Sequence, residues 1–219
     1  MQTIYALPSK PDARLTETIR QRYQRIAPFY DLMEGMAERR YLPWREKLWS
    51  LVLGSHLLEV GVGTGKNMPL YPKSVSVTAI DLTPGMLQRA HKKATELNLE
   101  TRVDLQLGDV QALSFDDTVF DAAVATFVFC SVPDPVLGLQ ELKRVVKPGG
   151  RVLLLEHVRS SNVLLGALMD LLNPFVVRMM GANINRKTVD NVRLARLEIE
   201  QIENLGAGGI FKLIVARVP

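Results

Sequence analysis

Residues 57–65, with the sequence LLEVGVGTG, constrain the fold more than any other stretch of the chain. An apolar run ends there in three glycines and is followed by a helix-compatible segment, which predicts a strand, a tight loop and a helix start. Glycine has no Cβ, so such a loop can adopt positive φ and let a ligand lie against the backbone. Because free N–H groups at a helix N-terminus attract a carboxylate or a phosphate, we expect a small ligand at this loop.

The spacing of the glycines narrows the choice of ligand. A dinucleotide fingerprint reads G-x-G-x-x-G, whereas Gly61, Gly63 and Gly65 bring the third glycine one residue early, which weakens a nicotinamide or flavin interpretation. A carboxylate at Glu59, just before the loop, would repel a pyrophosphate but favour a cofactor that carries an ammonium and a sulfonium. The residues therefore favour S-adenosylmethionine, although loop glycines also serve ordinary turns.

Acidic residues follow two further predicted strands. Residues 74–80 read as a strand that is followed by Asp81, about 20 residues beyond the first glycine, where a ribose-binding acid lies in such folds. Residues 103–107 read as a third strand, and Asp109 follows it after one glycine. Ligands of open parallel sheets bind beyond the carboxyl ends of the strands, so we expect Glu59, Asp81 and Asp109 to converge on one crevice.

Together these residues resemble the class I S-adenosylmethionine-dependent methyltransferases, over about residues 57–219. The resemblance implies an α/β fold: a Rossmann-like, seven-stranded, mostly parallel sheet with helices on both faces, plus an N-terminal helical extension. It implies that the glycines hold the methionine part of the cofactor, Asp81 the ribose, and Asp109 with Val110 the adenine. The expected cofactor contacts are Glu59, Gly61, Gly63, Gly65, Asp81, Leu82, Asp109, Val110 and Thr126.

The remainder of the sheet follows from apolar runs and turn signals. Strands are predicted at residues 120–125 and 151–156, and helices at residues 83–97 and 135–146. The KPGG motif before the fifth strand is read as a chain reversal, and two final strands at about 197–203 and 210–218 would complete the sheet. Cys130, in apolar company, is expected to be a buried and inert thiol.

The chain ahead of the glycine loop is predicted to be helical, which divides the protein into an extension at residues 1–53 and a methyltransferase domain at residues 54–219. A basic amphipathic helix is expected over residues 12–27 and a second helix over residues 30–53, interrupted at Pro43. Either this extension packs against the body with its charges solvated, or it forms a lid over the cofactor and a surface for anionic lipid headgroups.

Residues 22–31, RYQRIAPFYD, resemble the opening segment of the quinone C-methyltransferases and of small bacterial phospholipid N-methyltransferases, which covers the cofactor site. The resemblance places Tyr23 and Tyr30 nearest the transferring methyl group, where an electron-rich ring or phenol oxygen can stabilise a cation. Each tyrosine has a core-packing role as its alternative. His157, at the end of the fifth strand, is a third catalytic candidate because histidine can pass a proton near neutral pH, with a structural role as its alternative.

An apolar, methionine-rich insertion occupies about residues 160–190. Its most apolar part, residues 163–180, contains Asp170, Asn173, Pro174 and Arg178, and these residues argue against a membrane span. The segment is expected either to fill core or to form a wall for an apolar substrate. The predicted substrate-binding residues are Arg178, Asn183 and Arg186, with Lys187 as a further cation for a headgroup phosphate.

Among the families it resembles, the chain favours methylation of phosphatidylethanolamine towards phosphatidylcholine. The alternatives are C-methylation of a prenylated quinone, methylation of a small thiol, or a non-catalytic cofactor-fold binding module. The net charge of +4 suits an anionic membrane surface as partner, while nucleic acid and metal are not expected. A single cysteine and the lack of a signal-peptide pattern predict a cytoplasmic protein, and the interrupted apolar segment favours peripheral association with the membrane.

Overall fold

The structure is a computed structural model that describes residues 10–219, so the first nine residues of the predicted extension, and with them the signal-peptide prediction, lie outside the described residues. Helix α1 spans Ala13–Ile26, a single 3₁₀ turn spans Ala27–Phe29, and helix α2 spans Tyr30–Ser50. Asp12 caps α1 by accepting from the backbone N–H groups of Arg14 at 2.9 Å and Leu15 at 3.1 Å.

Helix α2 differs from its prediction because it continues through Pro43. Proline lacks an N–H, so it leaves one carbonyl of the preceding turn without its helical donor. Pro43 lies on the exposed side of α2, where water can satisfy that carbonyl, and the helix is not interrupted.

Seven strands form one sheet in the order β3-β2-β1-β4-β5-β7-β6, which confirms the predicted fold class. The strands are β1 His56–Val60, β2 Ser76–Asp81, β3 Val103–Leu107, β4 Phe120–Thr126, β5 Val146–His157, β6 Glu198–Leu205 and β7 Phe211–Arg217. Strands β1 to β5 pair in parallel, whereas β7 is antiparallel to both of its neighbours. The helices after the first strand are α3 Pro84–Glu96, α4 Pro135–Val145, α5 Val163–Met180 and α6 Thr188–Leu194.

Apolar layers cover both faces of the sheet, as expected for parallel strands joined by crossover helices. On one face, Leu58 of β1 packs in a cluster with Leu139 of α4, and both side chains are fully buried. On the other face, Leu57 packs with Leu48 and Trp49 of α2. The C-terminal end of α2 is therefore part of the core, while the domain boundary at residue 53 stays a prediction.

The order of the strands reverses between β1 and β4, since the chain continues from β1 towards β2 on one side and from β4 towards β5 on the other. A crevice forms at such a switch point, beyond the carboxyl ends of the two strands. Strand β5 begins five residues earlier than predicted, because the KPGG segment forms an irregularity within it rather than preceding it. A Cβ on Gly150 would lie 2.5 Å from the Asp121 carbonyl oxygen, which explains the glycine there.

Candidate active site

A cavity lies at the carboxyl ends of β1, β2 and β4, under helix α1. Its walls come from α1, the start of α2, and the loops that follow the first four strands. The lining residues include Ile19, Tyr23, Tyr30, Gly61, Gly63, Asp81, Leu82, Met86, Asp109, Val110, Gln111, Thr126, Phe127, Val128 and Ser131. Seven of the nine predicted cofactor contacts are in this lining, whereas Glu59 and Gly65 are not.

The glycine loop presents backbone rather than side chains to the cavity. Gly61 and Gly63 have φ of +65° and +58°, in the left-handed region that glycine adopts without strain. A Cβ on Gly61 would lie 2.5 Å from the Val128 side chain, whereas a Cβ on Gly63 would meet only the Gly61 carbonyl oxygen, at 4.0 Å. The loop is therefore packed on the Val128 side and open at Gly63.

Gly65 has a different role in the same loop. Its φ is +85°, and a Cβ there would lie 2.8 Å from the sulfur of Met68, which is buried in the core. The third glycine thus allows the loop to close against the core instead of facing a ligand.

Asp81, at the end of β2, joins the glycine loop to the start of α3. Its carboxylate accepts from the N–H of Gly63 at 2.9 Å and from the N–H of Thr83 at 2.8 Å. Burial raises the pKa of this carboxyl above its ordinary value. Each oxygen of this carboxylate has a second lone pair, and Asp81 lines the cavity, so it can accept from a vicinal diol such as a ribose.

Asp109, after β3, lines the same cavity. It accepts from the backbone N–H of Gln111 at 2.9 Å and from the Thr16 hydroxyl of α1 at 3.4 Å. The Gln111 side chain also donates to Thr16, at 3.2 Å. The acid is thus placed both to meet a ligand and to hold α1 over it.

Helix α1 covers the cavity without entering the core, since none of its described residues is buried. The Tyr23 hydroxyl lies 2.6 Å from the Ser131 hydroxyl in the loop after β4. The Gln24 side-chain oxygen accepts from the N–H of Gly85 at 2.9 Å, at the start of α3. An element attached by a few hydrogen bonds can open at lower cost than one held by an apolar core.

Tyr30 lines the cavity at the first turn of α2, where a second group of contacts ties the extension to the glycine loop. The Lys66 ammonium lies 5.2 Å from the centre of the Tyr30 ring, within cation–π range. Asp31 accepts from the Thr64 hydroxyl at 2.6 Å. Tyr23 and Tyr30 therefore both lie at the cavity, on its α1 and α2 side.

Glu59 is enclosed beneath the loop instead of lining the cavity. It accepts from the Asn67 amide at 2.6 Å and from the Tyr71 hydroxyl, and Asn67 also accepts from Arg45 of α2 at 2.8 Å. Burial raises the pKa of Glu59 to about 7. Its contacts make it a residue that fastens the glycine loop to α2.

Glu156 has a comparable role that the sequence interpretation did not assign to it. This buried acid near the end of β5 accepts from the N–H groups of Val128 at 2.9 Å and Phe129 at 3.0 Å, in the loop that lines the cavity. Phe127, at the start of that loop, has φ of +58°, a conformation that side chains other than glycine seldom adopt. The sequence feature that could have identified Glu156 is an acidic residue near a strand end, the same feature that identified Asp81.

His157 lies outside the lining of the cavity. Its ring packs edge-on against Phe211, 5.2 Å between centroids, and Phe211 in turn packs against Phe127. The buried Nδ1 has no hydrogen-bond partner among the described residues, and burial lowers the pKa of this imidazole. The ring of Phe211 therefore separates this neutral imidazole from Phe127, which lines the cavity.

The predicted substrate residues lie beyond the loop that follows β4. Arg178 is exposed on α5, whereas Asn183 and Arg186 donate to carbonyl oxygens of that loop. The Asn183 amide donates to Cys130 at 3.0 Å and the Arg186 guanidinium to Val132 at 2.6 Å. None of the three lines the cavity under α1, and the two that are bonded support its wall from outside. Cys130 is buried, and burial raises its pKa to about 12.

Comparison with known proteins agrees with this geometry. The family profile described as "Methyltransferase domain" matches residues 58–154. The chain is 36% identical over 164 residues to a "Phosphatidylethanolamine N-methyltransferase" of Cereibacter sphaeroides, covering 74% of this chain and 79% of that protein. It is 34% identical over 161 residues to a "Ubiquinone/menaquinone biosynthesis C-methyltransferase UbiE" of Geobacter sp. (strain M21), covering 70% of this chain and 66% of that protein.

Solved structures show the same fold. The cyclase SpnF matches 97% of this chain and 98% of its own, with a TM-score of 0.76 at 20% identity. A geranyl diphosphate C-methyltransferase of Streptomyces coelicolor A3(2) matches 95% of this chain and 99% of its own, with a TM-score of 0.74 at 15% identity. Because the fold serves both a cyclase and a methyltransferase, the assignment rests on the sequence relatives, and by them this chain belongs to the class I S-adenosylmethionine-dependent methyltransferases.

Proposed function

We propose that this methyltransferase acts on a membrane lipid and transfers a methyl group to the amine of phosphatidylethanolamine, towards phosphatidylcholine. The observation that carries the proposal is the relative from Cereibacter sphaeroides, which is named for that activity. At 36% identity it matches over 79% of its length, whereas the Geobacter quinone relative matches over 66%, just under two thirds.

The cavity offers S-adenosylmethionine a fitting set of groups. The open backbone at Gly63 is space that a Cβ would occupy, and it suits the methionine part of the cofactor. Asp81 suits the ribose hydroxyls, and Asp109 with Val110 suits the adenine, with Leu82 and Thr126 in the same lining. When bound there, the cofactor supplies an electrophilic methyl group on a sulfonium.

The chain's own contribution is then to position the acceptor and keep water away. An amine attacks only in its unprotonated form, and a site with little water favours that form by desolvation. Tyr23 and Tyr30 line the cavity beside the glycine loop, where a ring face or a phenol oxygen can stabilise the cationic groups of donor and acceptor. Holding two reactants in line is worth roughly 7–11 kcal/mol, which makes orientation the main catalytic effect.

We further propose that the protein meets its lipid peripherally, with a net charge of +4 that favours an anionic bilayer surface. Among the described helices, none is both long enough and apolar enough to cross a bilayer. The basic helix α1 lies over the cavity, so contact with headgroups and closure over the cofactor involve the same element. On this proposal helix α1 is both lid and lipid contact.

A prenylated quinone is the second candidate acceptor, and two observations favour it. Several relatives near 30% identity are named as quinone C-methyltransferases. Aromatic rings of Tyr41, Trp44, Phe127 and Phe211 pack together beside the cavity, with the Tyr41 and Phe127 centroids 4.9 Å apart. Such a cluster suits an aromatic acceptor as well as it suits a structural core.

Expression in a bacterial host whose membranes contain phosphatidylethanolamine but no phosphatidylcholine tests the proposal. Mass spectrometry of the extracted lipid should show mono-, di- or trimethylated phosphatidylethanolamine with the wild-type protein. The Asp81→Asn variant, which alters the proposed ribose contact, should show much less. Unmethylated phospholipid together with newly methylated quinone would transfer the assignment to the second candidate.

A further inference from the structure

Helix α5 is apolar on both of its long sides, yet only one side is covered by protein. On the inner side, Met169 is 6% exposed and its sulfur accepts from the N–H of Ser160 at 3.3 Å. On the outer side, a stripe at helical spacing is exposed: Leu164 83%, Leu168 49%, Leu171 76%, Leu172 45% and Phe175 64%. A helix that is apolar all round is ordinarily buried, so we expect an apolar partner to cover this outer stripe.

The helix that carries the stripe is connected to the loop after β4, which lines the cofactor cavity. Asn173 of α5 bonds to Asn183 at 3.2 Å, and Asn183 bonds to Cys130 in the loop after β4. At the end of α5, a Cβ on Gly181 would lie 2.5 Å from the Arg22 side chain of α1. Leu32 and Met33, near the start of α2, are also exposed. Apolar surface therefore flanks the helices that cover the cavity.

A basic cavity of about 200 Å³ lies between the segment that leads from β5 into α5 and the start of α6, separate from the cofactor cavity. Its lining includes Arg159, Ser160, Arg186, Lys187, Thr188 and Lys212, together with one acid, Asp190. Arg159 is already paired with Asp170 of α5 at 2.8 Å, and Asp190 with Arg193 at 3.3 Å. Three cations of the cavity thus have no ion pair with a carboxylate of the described residues within 4.0 Å.

Two polar atoms of the same cavity's residues are buried without a hydrogen-bond partner among the described residues, namely Arg186 Nε and Thr188 Oγ1. Burial also lowers the pKa of Arg186, because its guanidinium is partly removed from water. Buried donors without acceptors are costly, and an anion is the ligand that supplies several acceptors at once. The cavity has the charge and the donor groups to hold a phosphate.

We propose that α5 and this basic cavity form one membrane-docking surface, in which the outer stripe enters the interface of a bilayer and the cavity holds the phosphate of an anionic phospholipid. The inference rests on the proposed function, since a lipid methyltransferase must meet its acceptor at a bilayer surface. The occupant is a lipid rather than a second copy of the chain, because cations lie beside α5: Lys187 is two residues from Asn185, which donates to Asp170 at 3.0 Å, and Arg178 is in the last turn of the helix. An interfacial helix combines these two features.

Flotation with vesicles of phosphatidylcholine, with and without phosphatidylglycerol, tests the stripe. The wild-type protein should float with the anionic vesicles and less so at high salt. The double variant Leu168→Glu and Leu171→Glu should bind at least about tenfold more weakly, because two carboxylates oppose entry into an apolar, anionic interface. Leu53→Glu is the matched control, since Leu53 is 60% exposed but precedes β1 at the amino edge of the sheet.

The basic cavity is tested with the double variant Lys187→Gln and Lys212→Gln. It should lose the preference for anionic vesicles, whereas Lys73→Gln, an exposed lysine ahead of β2, should keep it. Calorimetric binding of S-adenosylhomocysteine by each variant shows that the fold is retained. Retention of the anionic preference by the cavity variant would overturn the phosphate assignment.

The outcome separates this inference from the proposed function. Loss of vesicle binding in the stripe variant, with methyl transfer to a water-soluble short-chain phosphatidylethanolamine retained, supports both. Loss of vesicle binding in a protein that methylates only quinones supports the docking surface while the proposed acceptor fails. Unchanged vesicle binding in the stripe variant overturns the inference, and a simultaneous change in sedimentation mass would assign the stripe to a contact between copies.

Discussion

The Tyr23 hydroxyl lies 2.6 Å from the Ser131 hydroxyl, so a hydrogen bond joins helix α1 to the loop after β4 across the candidate cofactor cavity. Both residues line that cavity. The loop itself is held from below by Glu156, which accepts from Val128 and Phe129. Helix α1 and strand β5 are therefore connected, through the loop after β4, by a short series of hydrogen bonds. A substitution can remove each of these bonds separately.

Replacing Tyr23 by phenylalanine removes the bond between cover and loop without removing the ring. Loss of one hydrogen bond costs about 0.5–1.5 kcal/mol, so we expect cofactor affinity to fall by a factor of about 2 to 10. Calorimetric titration with S-adenosylhomocysteine measures this, with Thr18→Ala as control because the Thr18 hydroxyl bonds within α1 itself. Unchanged affinity in Tyr23→Phe would show that α1 does not retain the cofactor.

Alanine at Gly63 should damage binding more than folding. Gly63 and Gly149 both have positive φ, +58° and +78°, and neither would bring a Cβ within 3.9 Å of another side chain. Each alanine variant should lower the free energy of unfolding by about 1–2 kcal/mol through backbone strain. Only Gly63→Ala places its methyl group at the cavity, so only it should weaken cofactor binding, by at least about tenfold. Equal affinities in the two variants would remove the glycine loop from the binding site.

Asparagine at Asp81 should weaken cofactor binding strongly. Hydrogen bonds to a charged group contribute about 1.5–3 kcal/mol, so the affinity should fall by about 10-fold to 150-fold. Asp104→Asn is a suitable control, because Asp104 is an exposed acid on β3. Fluorescence or calorimetric titration of both variants gives the comparison, and equal affinity for the cofactor would contradict the ribose assignment.

The buried acid Glu156 should make stability depend on pH. Burial raises its pKa from 4.5 to about 7, so the folded protein retains a proton that the unfolded chain releases over this range. The stabilisation is complete below about pH 4.5 and is lost as the pH rises through about 7, by up to about 3 kcal/mol. Burial of Glu59 acts in the same direction.

Urea unfolding near pH 5 and near pH 8 measures this effect. The variant Glu156→Gln cannot ionise, so its stability should fall less between these pH values than that of the wild type. Glu100→Gln, at an exposed position between α3 and β3, should behave as the wild type does. A pH dependence that is the same in Glu156→Gln and wild type would show that Glu156 is not the titrating group.

Much of the site followed from the sequence because strand ends are marked by local patterns. The runs before Gly61, Asp81 and Asp109 have the length and composition of buried parallel strands, and the carboxyl ends of parallel strands meet at one edge. Of the three acids expected to converge on one crevice, Asp81 and Asp109 line the cavity together with Gly61, whereas Glu59 does not. The tyrosines of residues 22–31 could be placed there only through the family resemblance.

The roles of Glu59 and Glu156 could not be derived in the same way. Four of the five residues of β1 are buried, so the alternation that would show which way the Glu59 side chain points is absent. Its partners Asn67 and Tyr71 belong to the chain after the glycine loop, and their approach depends on tertiary packing. His157 is a candidate by its position at a strand end, but that position does not show which way its side chain points. In the structure its ring packs on Phe211.

Methyl transfer by the purified protein tests the central claim most directly. Labelled S-adenosylmethionine is supplied with vesicles that contain both phosphatidylethanolamine and a demethylated prenyl quinone, and the extracted lipids are separated by chromatography. If the central claim is right, label appears in methylated phosphatidylethanolamine, and much less of it with the Asp81→Asn variant at the same cofactor concentration. Label in the quinone alone would contradict it.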